Sequence, residues 1–120
     1  MDYECQCDIC KADRESRIQS AGHAGYLALL DELRSLHLKK AADYGRGADP
    51  LANCRASSDF GVPAWVGVMV RCADKMHRIK SFVANGTLAN ESIEDSLLDL
   101  ASYALIALAL RREENGAKTQ

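Results

Sequence analysis

The sequence predicts an all-α fold, and three observations predict it. Apolar residues recur at intervals of three and four through three long stretches, the period of a helix that buries one face. Only two prolines and eight glycines fall in 120 residues, too few for the many turns of a β-sandwich or barrel. Aromatic residues are scarce, at 6%, and no stretch alternates as a strand does.

The elements follow in order. Residues 1–20 stand apart, with Cys5, Cys7 and Cys10 in polar surroundings and a charge-mixed stretch from Asp13 to Arg17. Neither part carries a sustained apolar face, so 1–20 is read as a cysteine-containing segment, with a short helix left open. Residues 21–114 are read as one helical domain and 115–120 as a flexible tail. Over 25–42, Tyr26, Leu29, Leu30, Leu33 and Leu36 form a stripe that Lys40 extends with its stem, and Gly45 suits the helix stop. A loop over 45–50 leads to a short helix over 51–58. Gly61 and Pro63 break the chain before a helix over 64–84, in which Trp65, Val66, Met69, Val70, Ala73, Met76, Ile79 and Val83 recur at helical spacing. Asn85 and Gly86 end it. Asn90 or Ser92 caps the last helix, which runs to about 113 with Glu91 and Glu94 near its positive end. The expectation is a bundle of three main helices plus a short one.

Composition narrows the function. Lys and Arg number 15 against 17 Asp and Glu, for a net charge of -2. That balance argues against direct binding of nucleic-acid backbone or an anionic membrane. The apolar run over 97–110 is broken by Asp99, Ser102 and Tyr103, short of the roughly 18–20 residues of a membrane span. Residues Met1 to Cys5 lack the basic and then apolar run of an export signal, so a cytoplasmic location with reduced thiols is expected. Five cysteines cannot all pair internally. Cys5, Cys7 and Cys10 supply three of the four ligands zinc commonly takes, with His23, Cys54 or a second subunit available for the fourth. Plain thiols on a loose N-terminus are preferred to that zinc site.

Asp99 is the residue that core packing explains least. It sits in a helix apolar nearly all round, where a carboxylate must be paired, hydrogen-bonded or bound to metal. Asp95 and Glu91 precede it at four-residue steps, each about 6 Å along a helix axis. Glu91 and Asp99 are then about 12 Å apart, so a single ion is not expected to take all three acids. On the preceding helix Arg71, Asp74 and Arg78 share a face, with Lys75 beside it. Antiparallel packing of the two helices would bring Asp74 to Asp95 and Asp99, rimmed by basic groups. Oxygen ligands for a metal beside cations for phosphates make up a Mg²⁺-nucleotide site. Plain salt bridges are the competing reading. No Gly-rich phosphate loop, nucleophile elbow or His-Glu-x-x-His motif is present.

The ordered set Lys40-x-x-Asp43-Tyr44-Gly45, Asn53, Phe60-Gly61, Arg71-x-x-Asp74-Lys75-x-x-Arg78 and Glu91-Ser92-x-x-Asp95-x-x-x-Asp99-x-x-x-Tyr103 carries a resemblance. It resembles the phage-associated nucleotide-modification domains of the MazG-like, all-α nucleoside triphosphate pyrophosphohydrolase superfamily, over roughly residues 36–110. The resemblance implies a helical, oligomeric bundle, and the apolar girth of residues 97–110 exceeds what three helices cover, so a homodimer or homotetramer is expected. It implies a Mg²⁺ (or Mn²⁺) enzyme that converts a (deoxy)nucleoside triphosphate to monophosphate and pyrophosphate, in a host cytoplasm if phage-encoded. On that reading Asp74, Asp95 and Asp99 hold the metal and Glu91 assists the attacking water. Lys40, Arg71, Lys75 and Arg78 hold phosphates, and Tyr44 and Asn53 contact base or sugar. The chain departs from the superfamily pattern at two places. Asp74 stands alone where a Glu-rich motif belongs, and Ser96 occupies a Glu position. A catalytically inactive nucleotide-binding or helical scaffold module is therefore the alternative.

Overall fold

The computed structural model describes residues 4–44 and 49–119, apart from the side chains of Tyr44 and of residues 117–119. Four α-helices are present: α1 (Asp8–Ser20), α2 (Ala24–Tyr44), α3 (Ala64–Asn85) and α4 (Ile93–Thr119). Two short 3₁₀ turns, Ala52–Cys54 and Ala56–Phe60, stand where one short helix is expected. There is no strand among the described residues. The all-α expectation holds.

Local chemistry sets the helix ends. The Cys7 thiol accepts the Cys10 N–H and caps α1, while Asp8 and Arg17 sit at the ends that suit the helix dipole. A free imidazole nitrogen of His23 accepts the Tyr26 N–H at 3.0 Å and opens α2. Ser92 accepts the Asp95 N–H at 3.0 Å, so of the two expected caps for α4 it is the serine that serves. Pro63 precedes α3, whose first N–H, on Ala64, donates to the Glu114 carboxylate at 3.2 Å. Gly86 ends α3 at φ 78°, a left-handed conformation that glycine adopts without strain. Helix α4 continues to Thr119, beyond the expected end near 113.

The chain divides into two compact units, Met1–Ser35 and Leu36–Gln120. In the first, no described residue is buried. Tyr26 and Leu29 are 61% and 51% exposed, so the stripe read from the sequence of α2 is not covered there. The reason is a missing partner face: α1 contributes only Ile9 and Ile18 as large aliphatic side chains, and both are themselves exposed.

In the second unit α3 and α4 pack against each other. Val68 and Leu110 are each 1% exposed at the centre, with Ala64, Ala107 and Cys54 around them. Leu51, Trp65, Tyr103 and Ile106 close the edges. The 3₁₀ segment is fastened to this pair by polar contacts. Arg55 binds Asp49 at 2.7 Å and Glu113 of α4 at 3.0 Å. The Ser57 hydroxyl donates toward the carbonyls of Val62 and Pro63, 3.2 Å from each. Gly67 faces that hydroxyl so closely that a Cβ would collide with it, and glycine is required there.

Candidate functional site

The second unit holds an ion cluster between α3 and α4. Lys75 lies on the α3 face turned toward α4, and its ammonium is 2.9 Å from a Glu91 oxygen and 2.9 Å from an Asp99 oxygen. The other Asp99 oxygen meets Lys40 of α2 at 3.2 Å, and the other Glu91 oxygen meets Arg78. Lys75, Glu91 and Asp99 have side chains only 12%, 15% and 18% exposed. Three cations thus surround two carboxylates, for a net charge of +1 across the cluster.

The electrostatics follow from that packing. Burial works against the Lys75 charge, but hydrogen bonds to Glu91 and Asp99 outweigh it and hold the ammonium above its usual range. The Lys75 hydrogen bond, joined by that from Arg78, outweighs burial at Glu91 and lowers its carboxyl to about 2. Both groups are held charged.

Beside the cluster is a cavity of about 320 Å³, at the lower end of the roughly 300–1,000 Å³ found for small-molecule sites. Lys40, Arg71 and His37 line it together with Asn53, Ser102 and Tyr103, and among the described residues no Asp or Glu does so. Pro50, Leu51 and Ile106 add apolar wall. The Arg71 guanidinium stands 5.7 Å from the centre of the Tyr103 ring and donates to the Asn53 carbonyl at 3.4 Å. Lys40 belongs to the cavity and the ion cluster alike. A positively charged recess with an aromatic wall suits an anion that carries a flat group.

The residues named from the sequence divide between two places. Lys40, Asn53 and Arg71 meet in the cavity. Lys75, Arg78, Glu91 and Asp99 meet in the ion cluster. Asp74 and Asp95 join neither, and both are exposed. On α3, one residue is a turn of about 100°, so with Lys75 facing α4 its neighbour Asp74 is carried round to solvent. The Tyr44 side chain and Gly45 lie outside the described residues.

The separation expected between Glu91 and Asp99 needs correction. Helical rise puts them about 12 Å apart, yet both carboxylates bind the same ammonium. Glu91 precedes the first residue of α4, so its position is not set by that helix. His37, Tyr103 and the Pro50–Leu51 wall were not assigned to a pocket from the sequence. Only the four-residue step from Asp99 to Tyr103 hinted at one of them.

Magnesium requires several oxygen ligands converging at about 2.0–2.1 Å. Asp74, Asp95 and Asp99 do not converge: among the described residues, Cys5, Cys7 and Cys10 form the only trio of metal-ligating side chains within 4.8 Å of one another. The position between Glu91 and Asp99 carries the Lys75 ammonium. This arrangement does not fit the Mg²⁺ that the resemblance implies. Compared with known proteins, the chain matches no family model, no curated protein and no solved structure. No helix among the described residues is long and apolar enough to cross a membrane.

Proposed function

We propose that the second unit binds a nucleoside phosphate in the cavity beside Tyr103, with its phosphates on Lys40 and Arg71. The observation that carries this reading is a recess lined by Lys40, Arg71 and His37 with no carboxylate among the described residues that line it. Phosphate oxygens accept hydrogen bonds from a guanidinium fork and an ammonium. The base packs against Tyr103 and Ile106, and Asn53 in the lining offers a polar contact. In this reading the half-buried Lys75 supplies the cation that neutralises Glu91 and Asp99, which keeps the neighbouring field positive.

The rival proposal is the nucleoside triphosphate pyrophosphohydrolase implied by the resemblance. One observation favours it: carboxylates of Glu91 and Asp99 both face a single cation position. Titration calorimetry with a panel of dNTPs and NTPs, with pyrophosphate release followed in parallel, separates the two. The binding reading predicts saturable binding that Lys40→Ala and Arg71→Ala each weaken by about tenfold or more, the loss of one charge-assisted contact. It predicts no pyrophosphate. Release of pyrophosphate that Asp99→Asn abolishes would put the hydrolase in its place. Binding that neither cavity variant alters would sink both site assignments.

We further propose that a second copy of the chain covers α4. Leu97, Ala101, Ala104, Leu105 and Leu108 fall within about 100° of its circumference, opposite the face that packs on α3, and all are exposed. Glu94 stands beyond one end of this stripe and Arg112 beyond the other, both exposed. A two-fold, antiparallel pairing of α4 helices centred near residue 103 sets each Glu94 against the partner subunit's Arg112. The charges therefore select the antiparallel arrangement over the parallel one.

A further inference from the structure

The first unit carries a separate constellation, outside the cavity and the ion cluster. Cys5, Cys7 and Cys10 place three sulfur atoms within 4.8 Å of one another. Cys5 approaches Cys7 at 3.4 Å between sulfurs, and the Cys10 N–H donates to the Cys7 sulfur at 3.4 Å. The spacing accounts for the convergence. Cys7 caps α1 and Cys10 lies three residues on, so the first turn folds Cys10 back over the cap while Cys5 joins from the residues before the helix. These thiols are set apart from Cys54 and Cys72, which are buried and whose thiols burial pushes above the usual range.

The first unit has no buried residue among those described, and chains with so little core are commonly held by metal or disulfide. A disulfide engages two sulfurs and leaves the third idle, whereas a soft cation uses all three.

We propose that Cys5, Cys7 and Cys10 form a three-thiolate site for one soft d¹⁰ cation, Zn²⁺ or Cu⁺. Each thiol releases its proton to solvent as its sulfur binds, and no electron is transferred. Cu⁺ is satisfied by the three sulfurs alone. Zn²⁺ keeps a fourth position for water or an external ligand.

The test uses the full chain, reduced with a non-thiol phosphine and freed of metal. Zn²⁺ and Cu⁺ are titrated separately in competition with a chromophoric chelator for each. The site predicts one equivalent of at least one of the two ions per chain. It also predicts that the bound ion shields three cysteines from alkylation, counted by mass. Cys7→Ser keeps a favourable helix cap, so loss of affinity in that variant reports the ligand, with circular dichroism confirming the helix. A lost ligand lowers affinity by at least the roughly tenfold that losing a supporting group costs. The proposal fails if neither ion is drawn from its chelator. It also fails if wild type and the Cys5→Ser/Cys7→Ser/Cys10→Ser variant bind alike.

Discussion

Lys75 and Asp74 are adjacent in sequence and opposite in consequence. Sequence spacing groups Asp74 with Arg71 and Arg78 on one face of a helix, but it does not say which side meets a neighbour. The structure turns Lys75 inward onto Glu91 and Asp99, and the site becomes an ion cluster in place of a group of acids. The lowered Glu91 carboxyl makes this testable through pH. Glu91 binds its proton at about 2 in the folded chain against 4.5 ordinarily, so the unfolded state holds more protons between those values. Its contribution to stability is full above about pH 4.5 and is lost as pH falls toward 2. Glu91→Gln is expected to cost about 1–3 kcal/mol in urea unfolding at pH 7. It should also flatten the fall of stability below pH 4.5. An unchanged pH profile would refute the pairing. Ser96 supplies a second check: it is 0% exposed and its hydroxyl has no hydrogen-bond partner among the described residues. Ser96→Ala should leave stability unchanged or raise it by about 1 kcal/mol, because an unpaired buried hydroxyl is lost. A large destabilisation on thermal melting would mean the hydroxyl is paired.

At the scale of elements, the helices were legible because periodicity, caps and breakers act within a few residues of chain. Ser92, Pro63 and Gly86 mark ends that the structure keeps. Helix α1 is hard to read from the sequence because it lacks an apolar stripe and its cap is a cysteine rather than a serine or aspartate. The cavity was legible only in pieces. Lys40, Asn53 and Arg71 were named one by one, but Pro50 and Leu51 form its wall only when the 3₁₀ segment folds across α3 and α4. That fold-back depends on the close approach of Ser57 to Gly67. Gly67→Ala is expected to destabilise the second unit by about 1–3 kcal/mol, as overpacking does. Ser57→Ala in the same chain should recover part of the loss by removing the hydroxyl that collides. Equal melting temperatures for wild type and Gly67→Ala would rule out the close packing.

For the whole molecule, a net charge of -2 hides a recess lined by Lys40 and Arg71. The apolar girth of α4 is used on one side only: Leu97 and Leu105 are 51% and 54% exposed opposite the face that packs on α3. Leu105→Glu should therefore convert a dimer to a monomer in sedimentation velocity without loss of helix content. A wild-type chain that sediments as a monomer at all concentrations would exclude the pairing of α4 helices. In the proposed function Lys75, rather than a divalent metal, balances Glu91 and Asp99 beside the cavity. The most direct measurement is calorimetric titration of the wild-type chain with a deoxynucleoside triphosphate in excess EDTA and again in Mg²⁺. Binding in the cavity requires saturable uptake in EDTA that Arg71→Ala weakens by about tenfold or more. Binding absent in EDTA and restored by Mg²⁺, with Asp99→Asn losing that restoration, would contradict it.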